Sequence, residues 1–315
     1  MRIGVDTGGT FTDVVLLDDT GLRIHKVPST PADPSRAIVG GIQEAAGAMA
    51  QAEIVHGSTV ATNALLEGRG AHVALVATAG FEDVLRIGRQ TRRALYDFMV
   101  AAPRTLVAPG STFGLEERMA PNGEVLAPIH EGQLEALILG LQARRPEAVA
   151  VCLLHSYANP SHERAVAERL AALGVPVSCS HEILPEYREF ERWSTTTINA
   201  YVAPLMARYL ANLEAQLGDA RLRVMQSNGG CISAETAGRA AVRTILSGPA
   251  AGVVGARAIA AAAGFSRIIS FDMGGTSTDV SLIDEAIAVT TDSLIADCPV
   301  RLPVIDIHTV GAGGG

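Results

Sequence analysis

GVDTGGTFTDVVLLD, residues 4–18, and SFDMGGTSTDVSLID, residues 270–284, are two copies of one pattern. At an offset of 266, Asp6, Gly8, Gly9, Thr10, Thr12, Asp13, Val14, Leu16 and Asp18 recur as Asp272, Gly274, Gly275, Thr276, Thr278, Asp279, Val280, Leu282 and Asp284. Nine of fifteen positions are identical, which makes coincidence a poor explanation. Each copy has the form of a β-hairpin. An apolar strand (Ile3-Gly4-Val5; Ile268 to Phe271) runs into an aspartate, then a Gly-Gly-Thr turn, then a second strand (Val14 to Leu17; Val280 to Ile283). Glycines in such a turn permit positive φ and close approach of a ligand to the backbone. Successive N–H groups there form a concavity for anions, and threonine hydroxyls add donors. The first aspartate of each copy, at a strand end, is placed to hold Mg²⁺ through water. A single D-x-G-G-T is also compatible with an ordinary tight turn capped by its aspartate; two copies favour a phosphate site.

Composition bounds the rest. The chain has 315 residues, 48% of them hydrophobic and 18% charged, enough for two domains with packed cores. A net charge of −8 and a pI near 5.5 argue against nonspecific nucleic-acid binding, which depends on Lys and Arg. The N-terminus, Met1-Arg2-Ile3-Gly4-Val5-Asp6, lacks the basic and then apolar form of a signal peptide, and no apolar run reaches membrane-spanning length. Cys152, Cys179, Cys231 and Cys298 are widely spaced, with no C-x-x-C pair. Reduced thiols and a cytoplasmic location are therefore expected.

Between the copies, strand and helix patterns alternate, the mark of an α/β fold. Asp33-Pro34-Ser35 opens a helix expected over 35–51. Strands are expected at Ile54–His56, His72–Thr78, Ala148–Leu154 and Val175–Ser178. Helices are expected at Val60–Glu67, Gly132–Arg144, Arg164–Leu173 and from Trp193 to about Leu217. A proline-marked, charged stretch at 180–192 places a soft boundary near 190, giving domains 1–190 and 191–315.

The hairpins resemble the two phosphate loops of the actin, sugar-kinase and 70-kDa heat-shock ATPase superfamily. LSGPAAGVVGA (246–256) is similar to its small-residue connecting helix. More narrowly, the chain resembles the hydantoinase A and 5-oxoprolinase family. The residues that carry this are GVDTGGTFTDVV (4–15), HGSTVATNALLEGRGAHVALVATAGFEDVLRIGRQ (56–90), LYDF (95–98), SHEILPEYREFERWSTTTINAYV (180–202), MQSNGG (225–230), LSGPAAGVVGA, FDMGGTSTDVSLI (271–283) and DIHTVGAGGG (306–315).

The resemblance implies an actin-like, ribonuclease H-like fold with mixed sheets and duplicated phosphate-binding hairpins. Because the chain ends soon after the second hairpin, its second lobe is expected to be incomplete. It implies ATP and Mg²⁺ as cofactors, and a cyclic amide (5-oxoproline, a hydantoin or another lactam) opened after phosphorylation of its carbonyl oxygen. A B-type partner subunit or domain is implied as well, with self-association an open possibility. Two other readings remain: a subunit of an ATP-dependent acetone- or acetophenone-type carboxylase, and a nucleotide-dependent switch without small-molecule chemistry.

Asp6 and Asp272 are the expected Mg²⁺–phosphate pair. Gly8, Gly9, Thr10, Thr12, Gly274, Gly275, Thr276 and Thr278 are expected to cradle phosphates, with Gly248, Gly313 and Gly314 near the nucleotide. Asp13 and Asp279 either orient water or substrate, or stabilise their hairpins. His56, Thr59, Thr62 and Asn63 resemble family residues on the substrate side, yet such residues also cap helices. Asn228 lies in a polar turn suited to a cleft wall. Asp306 and His308, two apart, either ligate a second metal or belong to the core. His155, His162 and Glu163 give only a weak metal signal, with no third ligand at suitable spacing. Arg86, Arg89, Arg92 and Arg93 read as a solvated or subunit-facing basic group.

Overall fold

The computed structural model describes residues 1–30, 32–47, 51–91, 96, 99, 104–274 and 278–311. The chain forms two compact units: 1–63, 206–291 and 303–315 make the first; 64–205 and 292–302 make the second.

The first unit is built on a six-stranded sheet. Arg2–Thr7 pairs antiparallel with Phe11–Asp18, which pairs antiparallel with Gly21–Pro28. On its other edge Arg2–Thr7 pairs parallel with Glu53–Ser58, and that strand pairs parallel with Arg221–Met225. A short antiparallel strand, Cys231–Ser233, closes this edge. Three antiparallel strands followed by two parallel ones is the ribonuclease H-like arrangement, and the protein is of mixed α/β class. Alternation explains the meander: Ile3, Val5, Thr7, Val14 and Leu16 are buried, whereas Arg2 and Asp6 point the other way.

Helix Pro34–Ala46 covers the buried face with Ala37, Ile38, Gly41 and Ile42. Asp33 caps it by accepting from the Ser35 N–H, and proline stands in its first turn. Gly41 sits close under the sheet, since a Cβ there would lie 3.1 Å from Val14 and 3.2 Å from Val27 and would push on both. The helix ends earlier than its pattern predicts, because Gly47 takes φ 73° and turns its N–H back to Gln43.

The second copy repeats the first in register. Asp6 faces Asp13 and Thr7 faces Thr12; Asp272 faces Asp279 and Met273 faces Thr278. Its third strand is in two pieces, Ala286–Ile287 and His308–Val310, both paired to Thr278–Asp284. Helix Ser247–Ala262 packs Ala250 and Val253 against Ile283 and Ile305. Its start is pinned to the first copy's sheet. Ser247 Oγ donates to the Ser58 carbonyl (3.1 Å) and accepts from the Ser58 N–H (3.3 Å). Leu246, at φ 63°, gives its N–H to Thr62 Oγ1 at 2.9 Å.

The second unit holds a parallel sheet in the order Val177–Cys179, Ala148–Cys152, Val73–Thr78, Val107–Leu115. Its two central strands are buried at every position, as unbroken apolar runs predict. Val177–Cys179 begins later than expected because Pro176 has no N–H to pair. Helix Glu189–Leu217 starts before Trp193 and contains Pro204. No described helix is long and apolar enough to cross a membrane.

Ser247→Ala removes both buried bonds to Ser58. Urea unfolding should show a loss of about 1–3 kcal/mol, with no change in far-ultraviolet dichroism.

Candidate functional site

The site grows from one carboxylate. Asp6 ends the central strand, and three backbone segments meet at its side chain. Gly57, its parallel partner, would place a Cβ 3.0 Å from Asp6 Oδ1. Gly248, in the first turn of the connecting helix, would place one 3.3 Å away. Any larger residue at either position would meet the carboxylate. That helix has no acidic residue in its first turn and no side-chain cap, so its positive end is not neutralised by its own side chains and lies beside the Asp6 carboxylate.

An edge of Asp6 reaches solvent, yet its oxygens rest against these glycines and lose hydration. Burial first, then the Asp13 and Asp272 carboxylates, push its pKa up to about 6, with the Thr7 N–H pulling weakly the other way. Asp272, from the second copy, thus belongs to the same negative cluster.

The first turn is braced from behind. The Gly8 N–H donates to Phe11 O (3.0 Å), and Ser29 donates its Oγ to Gly8 O (2.7 Å) and its N–H to Thr10 O (2.9 Å). Gly9 and Thr10 are exposed at the tip. Neither Gly8 nor Gly9 has positive φ, contrary to the expectation from the turn. The constraint at Gly8 is space: a Cβ would lie 3.2 Å from Phe11 O. Thr12 is buried and shares a hydrogen bond with Ser29 Oγ at 3.0 Å, and Thr278 is buried at the matching place. Thr12 faces inward, away from the turn, because it falls on the face that helix Pro34–Ala46 covers, whereas Thr278 is buried on a strand face whose Leu282 is exposed.

Asp13 is paired with Lys26 at 3.0 Å, and Asp279 accepts from Thr309 Oγ1 at 2.6 Å. Each is held by its neighbour on the third strand, which is the hairpin-stabilising arrangement. Gly274 is exposed; Gly275, Thr276, Gly313 and Gly314 lie outside the described residues.

The residues expected on the substrate side separate. His56 is fully buried, with Nε2 2.7 Å from the Tyr209 hydroxyl and Nδ1 3.4 Å from Val5 O. Burial lowers its pKa to about 4, so the ring is neutral. Thr62 holds the start of the connecting helix. Thr59 donates to Thr7 O (3.2 Å) and accepts from Asn63 Nδ2 (3.5 Å); of the two, Asn63 is exposed. Asn228 Oδ1 accepts from the Gly230 N–H in an exposed turn. Asp306 and His308 are both exposed, and neither joins a three-ligand group among the described residues.

Among those residues, one such group exists, in the second unit: Glu163, Cys179 and His181. Glu163 Oε1 accepts from the Leu153 N–H (2.8 Å) and Ser180 Oγ (2.6 Å). Its Oε2 accepts from the His181 N–H (2.9 Å) and Nδ1 (2.7 Å). Its lone pairs are taken, and burial pushes the Cys179 thiol up, so the group is a buried brace. His155 and His162, which with Glu163 give a weak metal signal in the sequence, are not part of this group. His162 pairs instead with Glu117 at 2.6 Å. Ser29, Gly57, Tyr209 and Ser247 were missed as site supports, although Gly57 and Ser247 lie inside the motifs quoted for the family.

Two meanders joined through a pinned helix around one carboxylate cluster define an actin-type, ribonuclease H-like architecture. The chain belongs to the hydantoinase/oxoprolinase family. Residues 2–174 match the hydantoinase/oxoprolinase N-terminal region, and 192–315 match the hydantoinase/oxoprolinase model. Caprolactamase subunit alpha of Pseudomonas jessenii is 37% identical over 100% of this chain and 48% of its own length. A crystal structure of ATP-dependent caprolactamase from that organism superposes with a TM-score of 0.88 at 35% identity, covering 100% of this chain and 48% of that one. 5-Oxoprolinase 1 of Arabidopsis thaliana is 34% identical over 100% of this chain and 28% of its length. A nucleotide-free structure of acetone carboxylase, described under ATP-dependent acetone carboxylation, gives 0.87 at 30% identity over 100% and 48%. The chain therefore spans about half the length, or less, of the relatives it matches.

The Asp6 pKa lies above the ordinary carboxylate value of 3.8, so its contribution to stability is fullest below about pH 4 and is lost as pH rises through about 6. Carbon-13 titration should place the Asp6 midpoint near 6. In Asp272→Asn the midpoint should fall, because one neighbouring negative charge is gone. An unchanged midpoint would separate the two copies.

Proposed function

We propose that this chain is the ATP-using part of an enzyme that activates the carbonyl oxygen of a cyclic amide by phosphorylation. The observation that carries the reading is the Asp6 site, where the carboxylate rests against two glycines at the start of a helix and feels the charge of Asp272 from the second copy. Among the described residues no cationic side chain pairs with Asp6 or Asp272, and burial, then repulsion from the Asp13 and Asp272 carboxylates, raises the Asp6 pKa; a divalent cation offsets both. These two residues would hold Mg²⁺ through water. The exposed Gly9–Thr10 tip and Gly274 would line the phosphates, with Gly248 keeping the backbone close.

Bound Mg-ATP supplies an electrophilic phosphoryl group whose charge the metal spreads. The chain's own work is placement. The Ser29 brace holds the turn, the Ser247–Ser58 bonds hold the helix start, and Gly57 leaves room for the carboxylate. An unstrained lactam resists attack because resonance makes its carbonyl a poor electrophile. Phosphorylation converts the oxygen into a leaving group, so water can add to carbon. Thr59, Asn63 and Asn228 are the polar groups proposed for the substrate side. His56 supports the strand beneath them through Tyr209.

The names of the relatives support ATP use with lactams, and the caprolactamase relative is itself a subunit, which supports a B-type partner. The acetone carboxylase likeness favours a second reading. There, phosphorylation at oxygen would trap a ketone as its enol phosphate before carboxylation. Both readings assign this chain the same kinase step. A cytoplasmic location accords with four free cysteines, three of them buried.

Mg-ATP titrated by calorimetry into the protein should bind saturably. Asp6→Asn with Asp272→Asn should weaken binding at least about tenfold, or about 1.4 kcal/mol. Adding 5-oxoproline, a hydantoin or caprolactam with the partner subunit should raise ADP release. Acetone with bicarbonate as the sole effective substrate would instead favour the ketone reading. Tight nucleotide binding unchanged by the double substitution would contradict the site.

A further inference from the structure

The peptide that precedes Asp6 is held from the sheet face opposite to its carboxylate. Val5 and His56 are register partners on the parallel strands Arg2–Thr7 and Glu53–Ser58. Both side chains are buried on one face, whereas Asp6 points the other way. His56 Nδ1 lies 3.4 Å from the Val5 carbonyl oxygen, and Nε2 lies 2.7 Å from the hydroxyl of Tyr209, on helix Glu189–Leu217. On the other side of Asp6, Thr59 Oγ1 donates to the Thr7 carbonyl at 3.2 Å.

Valence assigns the donors in this pair. A carbonyl oxygen only accepts, so the ring carries its proton on Nδ1. Burial keeps the ring neutral, which leaves Nε2 bare, and the Tyr209 O–H donates to it. The phenol oxygen in turn engages the Ser58 side chain. Ser58 is the residue whose backbone N–H and carbonyl are both bonded by Ser247 Oγ, at the start of the connecting helix. One line of polar contacts therefore runs from that helix start through Tyr209 and His56 to the peptide before Asp6. Burying an imidazole and a phenol costs free energy that an apolar pair of the same volume would not. What the polar pair adds is direction: the phenol fixes the tautomer and the ring's orientation, and the ring fixes the carbonyl.

We propose that His56 and Tyr209 are positioning residues for Asp6: the phenol holds the imidazole with its Nδ1–H toward Val5, and this sets the Val5–Asp6 peptide and the direction in which the carboxylate is presented. Neither side chain touches metal or phosphate. The consequence for nucleotide affinity rests on the function proposed above; the effect on the peptide does not.

Two readings on the 315-residue chain test it. The carbonyl-carbon shift of Val5, taken without nucleotide, reports the bond that this carbonyl accepts; calorimetry reports Mg-ATP affinity. Tyr209→Phe keeps the ring and its packing, and the amide of His56→Gln reaches the place of Nε2 but not that of Nδ1. Both should move the Val5 carbonyl carbon upfield and weaken Mg-ATP about threefold or more, the effect of one hydrogen bond. His56→Asn puts an N–H where Nδ1–H stands, and should bind Mg-ATP more tightly than His56→Gln although it fills less of the core. Ile54→Val, a packing change on the same buried face, should lower the melting temperature and leave both readings alone. A Val5 carbon unmoved by Tyr209→Phe would overturn the proposal. So would equal Mg-ATP affinity in His56→Asn and His56→Gln, or a response to Ile54→Val as large as that to Tyr209→Phe, since the pair would then be packing alone. If the unsubstituted chain binds no Mg-ATP, the proposed function fails, and the Val5 shift still decides the positioning.

Discussion

The position of the Asp6 carboxylate constrains much of the first unit. A carboxylate at a central strand end, packed against two backbones and near two other carboxylates, is an unfavourable arrangement unless something else gains by it. Gly57 and Gly248 are glycines because a Cβ on either would meet Asp6 Oδ1. The helix start must be held there, which is what Ser247, Ser58 and Thr62 do. The turn must keep its shape without positive φ, which is what Ser29 does from behind. Each support adds a modest amount, on the order of 1 kcal/mol per hydrogen bond. Together they hold a cluster whose own electrostatics work against it.

Duplication spreads this arrangement over two hairpins. Identical registers place Asp6 and Asp272 at corresponding strand ends, each opposite its own second aspartate. Those second aspartates have a quieter task, since Lys26 and Thr309 engage them across the meander. The copies differ in their third strands. Gly21–Pro28 is continuous, whereas its counterpart is split into Ala286–Ile287 and His308–Val310. Residues 292–302, part of what intervenes, belong to the second unit.

Much of this was legible in the sequence where the signal was local. Repeat identity revealed the hairpins, and Asp33-Pro34-Ser35 announced the covering helix because capping chemistry sits within one turn. Unbroken apolar runs located the two central strands of the parallel sheet. Long-range packing was not legible. Nothing near residue 57 or 248 states that both approach Asp6, and no local pattern assigns 292–302 to a unit built mainly from 64–205. His56 is a different case: Ile54, His56 and Ser58 alternate inward on one strand, so period-two reading alone would have put the imidazole in the core. Its polar neighbours in sequence masked that. Thr12 was counted with the turn for the same reason, although it belongs to the covered face of its strand.

The central claim is that both hairpins serve one metal–phosphate site. Paramagnetic broadening by Mn²⁺ with a non-hydrolysable ATP analogue, read on the backbone amides of the nitrogen-15-labelled protein, addresses it directly. The account predicts that Asp6 to Thr10 and Asp272 to Gly274 broaden together, at one stoichiometric Mn²⁺, and that both recover when Mg²⁺ displaces it. Broadening confined to one copy, or centred elsewhere while the analogue is bound, would contradict it.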